Sequence, residues 1–159
     1  MQGGAMARTR HTSESDVLDE LFCFDLYAAS RALTRRYRPL LEEHGLTYPQ
    51  YLVLVVLGGA GPSSIKELAG TLRLDHATLT PMLRRMEEAG LLARHRDPDD
   101  ARVVRLALTE HAARIHAAFD QIQCRISADL GLAPEEARRL QLMLRDVATS
   151  VERALAPAD

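Results

Sequence analysis

The sequence predicts a mainly α-helical fold carrying one small β-hairpin. Three features of its 159 residues point there. Apolar residues recur at helical spacing through most of the chain, the period changes to alternation only between residues 91 and 108, and Gly or Pro punctuates the junctions. Apolar residues make up 47% and charged residues 26%, which suits one core of ordinary size and a soluble surface. The longest nearly uncharged apolar run, residues 51–60, falls well short of the roughly 20 residues that cross a bilayer, and no apolar signal core opens the chain. A cytoplasmic location and no membrane partner are therefore expected. Two widely separated cysteines are too few for a disulfide framework or a zinc cluster, which leaves redox chemistry or none, and no metal or cofactor. The net charge of −2 does not advertise a nucleic-acid binder, so any contact with DNA has to come from local placement of charge.

Residues 1–11 are Gly-containing and basic, the composition of a flexible tail, with Arg8 and Arg10 in it. Thr12, Ser13 and Ser15 are N-cap candidates with Glu14 and Asp16 beside the positive end of a helix dipole, so a first helix is expected from there to about Glu43. Leu18, Leu21, Phe22, Leu26, Ala29, Leu33, Leu40 and Leu41 supply its apolar face. Pro39 is expected to kink or break it, and Gly45 stands at the C-cap position. A helix this long exceeds what one small domain needs, which predicts a partner chain against part of it. Along it Cys23, Tyr27, Ser30, Thr34 and Tyr37 recur at steps of three and four, so a thiol heads a column of hydroxyls. The stripe fits a chemical sensor and equally an amphipathic seam holding a small buried Cys.

A second helix is expected from Tyr48 to about Leu57, capped by Thr47 with Pro49 in its first turn and apolar on most sides. The loop GGAGPSS leads to a third, where Ser63 or Ser64 can cap and Ile65, Leu68, Ala69 and Leu72 face inward. Asp75 caps the fourth, whose buried stripe is Leu79, Met82, Leu83 and Met86 and whose end is Gly90. Two short helices around a tight turn, the second polar at its exposed start, are the layout of a helix-turn-helix. LLARHR and ARVVRLALT then alternate around DPDD as two antiparallel strands, with Arg94, Arg96, Arg102 and Arg105 on them and Asp97, Asp99 and Asp100 at the tip. Placed there, the hairpin is the wing of a winged helix-turn-helix. Thr109 caps a helix to about Asp129, LGLAP breaks it, and a last helix runs from Pro134 to about Leu155. The domain reading is a flexible tail at 1–11, a winged helix-turn-helix DNA-binding domain at 46–108, and N- and C-terminal helices at 12–45 and 109–155 forming a dimerisation bundle.

The order of elements, and LDHATLTPMLRRMEEAGLLARHRDPDDARVVRLALTEHA in particular, resembles the MarR family of bacterial transcriptional regulators. More narrowly, CFDLYAASRALTRRYRPLLEEHGLTYPQYLVL resembles the organic hydroperoxide-sensing repressors of the OhrR type, in their two-cysteine subgroup. The resemblance implies a homodimeric repressor, not an enzyme, that binds double-stranded operator DNA and answers to organic hydroperoxide. It implies that Cys23 is the reactive thiol, that Tyr37 and Tyr48 hydrogen-bond its thiolate across the dimer, and that Cys124 is the resolving thiol of the other subunit. Tyr27, one turn from Cys23, is then a same-chain neighbour. Only the thiolate attacks an O–O bond. With the expected N-cap two to three turns away, the helix dipole is weak at Cys23, so the tyrosines are expected to contribute most. Phe22, Phe24 and Leu26 would make an apolar mouth suited to organic hydroperoxides. Asp25 departs from the small or apolar residue expected there, and a carboxylate near Cys23 opposes the anion.

DNA contacts are expected from Asp75, His76, Thr78 and Thr80 in the first turns of the recognition helix, from Arg84 and Arg85 toward phosphates, and from Arg94 and Arg96 on the wing. Arg102 resembles the wing arginine that enters the minor groove, with Asp100 orienting it. A two-fold dimer implies an inverted repeat with half-site centres about 34–36 Å apart. Two other classes compete. One is a repressor of the same family released by a reversible small ligand, such as a phenol, with structural cysteines. The other is a thiol peroxidase, which would need an activating Arg or an α/β scaffold that this chain lacks.

Overall fold

Helix α1 (Phe22–Glu42) starts later than its cap candidates suggest. The computed structural model describes Leu18, residues 21–100 and residues 102–155. Thr12, Ser13, Glu14, Ser15 and Asp16, like the tail at 1–11, lie outside them. Leu18 is in a turn, and Leu21 is extended, with φ −96° and ψ 90°, and caps α1 without a side-chain hydrogen bond. The helix is not broken at Pro39 but continues for three more residues. Pro39 deletes one N–H in the last turns, and the buried side chains of Leu40 and Leu41 lie beyond it. At the end of α1, Gly45 adopts φ +66° and the Leu46 N–H donates to the Leu41 carbonyl at 3.0 Å, closing the helix as expected.

The described residues divide into two compact units between Tyr48 and Pro49. In the first, Tyr37, Leu40, Leu41 and Leu46 are buried, whereas Leu21, Phe22, Phe24 and Leu26 at the start of α1 are exposed. In the second, α2 (Tyr48–Ala60) runs three residues past its expected end, through Gly58 and Gly59. Gly58 is there because the His116 ring fills the space where a Cβ would stand, so only glycine lets the two meet.

After Gly61, at φ +81°, comes an element the sequence does not announce: β1 (Ser63–Ser64). Two serines carry no strand signature, yet Ser63 pairs with Leu106 and Ser64 with Arg105. The wing is thus a three-stranded antiparallel sheet in the order β1-β3-β2, with β2 (Leu92–Arg96) and β3 (Val104–Leu108) in register from Leu92 opposite Leu108 to Arg96 opposite Val104.

Ser64 also caps α3 (Ile65–Leu72) in a full capping box. The Glu67 N–H donates to Ser64 Oγ at 3.2 Å, and the Ser64 N–H donates to Glu67 Oε2 at 2.7 Å. Helix α4 (His76–Glu88) follows a turn in which Arg73 takes the left-handed conformation at φ +53°. Leu79, Met82, Leu83 and Met86 are buried as the stripe predicts, as are Leu54, Leu57, Leu68 and Leu106. Each such side chain contributes roughly 1.5–3 kcal/mol by leaving water.

Thr109 caps the next segment, accepting from the Ala112 N–H at 3.1 Å, but the single helix expected from it is two: α5 (Glu110–His116) and α6 (Phe119–Asp129). The break at Ala117 and Ala118 re-phases the chain so that Phe119 reaches Tyr51, ring centroids 4.6 Å apart, and His116 lies 5.1 Å from Phe119. Gln123 donates to the Tyr51 hydroxyl, and Phe119, Ile122 and Ile126 are buried, so α6 contributes to the core. Helix α7 (Pro134–Leu155) buries no residue and exposes Leu140, Leu142, Met143, Leu144 and Val151. No helix among the described residues is long and apolar enough to cross a membrane.

Candidate functional site

Cys23 is the second residue of α1, in its first turn, and is exposed. This corrects the expectation that it lies two to three turns inside a helix. The N-terminal peptide N–H groups and the positive end of the helix dipole lie in that turn. Exposed Phe22, Phe24 and Leu26 surround it in sequence, as an apolar mouth requires, and Asp25 shares the same first turn.

The tyrosines of the stripe separate into two environments. Tyr27 is exposed, and Arg31 both donates to its hydroxyl at 2.7 Å and holds its guanidinium 5.5 Å from the ring centre. Tyr37 is buried and meets Tyr48, with ring centroids 4.8 Å apart and planes 53° apart. The structure thus brings together the two tyrosines that sequence reasoning singles out as a pair. Thr34 leaves the stripe's hydroxyl column and donates back to the Ser30 carbonyl at 2.7 Å, the local bond that hydroxyls make within helices. Cys124 is exposed on α6, beside the Gln123 that anchors the helix on Tyr51.

The expected nucleic-acid face is less free than its residue types suggest. Asp75 spends its carboxylate as the N-cap of α4, accepting from the Thr78 N–H at 2.6 Å and from the Thr78 hydroxyl at 2.9 Å. These bonds hold its carboxyl below the usual range, the backbone bond first. Both side chains therefore serve the start of the helix, while His76 and Thr80 are exposed in its first turns. Arg84 pairs with Glu88 at 2.8 Å in an exposed i,i+4 bridge, and Arg85 donates to the Pro81 carbonyl at 3.3 Å. Such a surface pair is weak and screened by salt. Arg94 is more firmly held, forked on both Glu87 oxygens at 2.6 and 2.8 Å. Arg96 and Arg102 are exposed on the wing. Asp100 accepts from the Arg102 backbone N–H at 2.9 Å, so it orients the chain at Arg102.

Sequence reasoning places Asp97 in the wing turn, where it does follow β2, but does not foresee its burial, and gives Arg105 no role. The Asp97 side chain is buried within the turn. Its Oδ2 accepts from Arg105 Nε and its Oδ1 from the N–H groups of Asp99, at 2.8 Å, and Asp100, at 3.1 Å. The Arg105 guanidinium, then those two N–H groups, holds the Asp97 carboxyl below its usual range. Arg105 also donates to the Pro62 carbonyl and to Glu67, each at 3.2 Å. The signal available in sequence was an unspent pair of opposite charges across the turn, but its long-range partners Pro62 and Glu67 lie in another element.

Comparison with known proteins places this geometry. A profile described as "MarR family" matches residues 46–104. The chain is 42% identical over 123 residues to the HTH-type transcriptional regulator TtmR of Methylorubrum extorquens, covering 77% of this chain and 63% of that protein. It is 47% identical over 96 residues to the organic hydroperoxide resistance transcriptional regulator of Bacillus subtilis, covering 60% and 65%. In both cases the match spans less than two thirds of the relative's length. A crystal structure of overoxidised AbfR bound to DNA superposes with a TM-score of 0.66 at 30% identity, covering 87% of this chain and 97% of that one.

Proposed function

The chain belongs to the MarR family of transcriptional regulators, which are not enzymes, and from that premise we propose that it is a cytoplasmic repressor released from operator DNA by organic hydroperoxide. The observation that carries the reading is Cys23: an exposed thiol in the first turn of a helix, among exposed apolar side chains. The tyrosines paired at 4.8 Å and the likeness to the organic hydroperoxide resistance regulator of Bacillus subtilis support it.

In the first step the Cys23 thiolate attacks the outer peroxide oxygen. The O–O bond breaks, the alcohol leaves after taking a proton, and the sulfur is oxidised to a sulfenic acid. The helix start and the phenols of Tyr37 and Tyr48, the latter two from the partner, stabilise the anion. In the second step the Cys124 thiolate of the other subunit attacks that sulfur, an S–S bond forms and the sulfenic oxygen leaves as water. Two subunits meet through the exposed apolar faces of α1 and α7, which a lone chain leaves in water. The reduced dimer sets α4 in successive major grooves of an inverted repeat, with His76 and Thr80 toward bases, Arg84 and Arg85 toward phosphates, and the wing beside them.

The deciding experiment is a gel shift of wild type and Cys23→Ser with cumene hydroperoxide. Wild type dissociates at about one oxidant per site and Cys23→Ser stays bound; release of the Ser variant would sink the redox reading in favour of a reversible ligand.

A further inference from the structure

We propose that Arg105, although an arginine on the wing, is a positioning residue that sets Arg102 for DNA through a relay of two aspartates. The inference rests on the proposed DNA binding and on Arg102 being the wing's contact in it, as its resemblance to the minor-groove arginine implies.

The geometry starts on β3, the central strand, where Arg105 stands opposite Ser64 on one side and His95 on the other. Its donors point back into the protein. Nε donates to Asp97 Oδ2, and Nη1 to the Pro62 carbonyl and to Glu67 Oε2. One planar guanidinium thereby joins the wing turn to the entry of β1 and to the capping box of α3, which point charges on a flexible stem would not do. Asp97, 9% exposed, uses its other oxygen to gather the N–H groups of Asp99 and Asp100. Asp100, so placed, accepts the Arg102 N–H on its side chain and the Val103 N–H on its carbonyl, both at 2.9 Å. The Val103 carbonyl then accepts the Asp97 N–H at 2.9 Å and closes the loop. Among the described residues, the bonds that fix the backbone beside Arg102 lead to Asp97, and the Asp97 side chain is held by Arg105. A buried carboxylate whose cation is removed is left uncompensated and rearranges or draws in water, so the turn loses its template.

The test is a double-mutant cycle in DNA affinity, on an inverted-repeat duplex selected from random DNA by the wild-type protein. Arg102→Ala is expected to weaken binding about tenfold, the usual scale for one such contact. Arg105→Gln is expected to weaken it comparably, and the double variant no further than Arg102→Ala alone. Asp100→Ala, an exposed change that spares the Arg105 anchor, gives the same loss in the parent and none in the Arg102→Ala background, and covers the case in which Arg105→Gln does not fold. Additive losses would overturn the relay and make Arg105 an independent contact or a general brace. Unchanged affinity of Arg105→Gln and Asp100→Ala beside a weakened Arg102→Ala overturns the relay and leaves the wing contact standing. Unchanged affinity of Arg102→Ala removes both.

Discussion

The rings of Tyr37 and Tyr48 meet at 4.8 Å, one at the buried end of α1 and the other as the first residue of α2. Removing either hydroxyl while keeping the ring tests whether the phenols serve the thiolate. Tyr37→Phe and Tyr48→Phe are expected to slow sulfenic acid formation at Cys23 roughly tenfold each, the scale of one hydrogen bond to a charged group. Trapping the sulfenic acid over time after a fixed dose of cumene hydroperoxide measures this. Equal oxidation rates in all three proteins would make the pair purely a packing contact.

Gly58 and Gly59, adjacent on α2, are expected to respond oppositely to alanine. At Gly58 the new methyl overlaps the His116 ring, so Gly58→Ala destabilises by about 1–3 kcal/mol, in the manner of overpacked cores. At Gly59 nothing lies within 4 Å, so Gly59→Ala stabilises by about 0.5–1 kcal/mol through the reduced entropy of the unfolded chain. Urea midpoints of the two variants decide it.

Acid is expected to loosen the winged unit. The carboxyls of Glu67, Asp75 and Asp97 are all lowered in the folded chain, by the Ser64 backbone bond, the Thr78 backbone bond and the Arg105 side-chain bond respectively. The unfolded chain therefore takes up protons first as pH falls. Their stabilisation is complete above the ordinary carboxylate range, near pH 4, and is lost as pH drops through the lower folded values. Urea midpoints should hold from pH 7 to 5 and decline below about pH 4. Asp97→Asn should be less stable at pH 7 and show a shallower decline. A decline as steep as in wild type would remove Asp97 from the cause.

Cys124, exposed on α6, is expected to supply the second sulfur. Non-reducing gels after stoichiometric hydroperoxide should show a covalent dimer that thiol reductant reverses and that Cys124→Ser abolishes. The Ser variant should still dissociate from DNA at first oxidation if the sulfenic acid suffices. Monomeric oxidised bands in the wild type count against the resolving role.

Much of the fold is legible because its signals are local. The α4 stripe of Leu79, Met82, Leu83 and Met86 is buried in full, Asp75, Ser64 and Thr109 cap where they stand, and Gly45 and Gly90 end helices at positive φ. The misses involve partners far along the chain. Ser63 and Ser64 become a strand only because β3 offers an open edge. Gly58 and Gly59 stay helical although glycine usually punctuates, and His116 explains why Gly58 is there. The helix expected from Thr109 divides because Phe119 finds Tyr51.

For the candidate site, the sequence by itself determined the chemistry: one thiol in an apolar setting, three tyrosines at helical and loop spacing, a polar recognition helix and an arginine-rich wing. Residue type and short-range periodicity suffice for that, since both are written in neighbouring positions. Only the tertiary structure decided that Cys23 heads its helix, that Tyr37 and Tyr48 touch while Tyr27 turns to Arg31, and that Arg94 and Arg105 are committed to carboxylates of the protein. Charges and rings choose their partners by distance in space, across tens of residues, and a linear pattern carries no record of which neighbour the fold brings within reach.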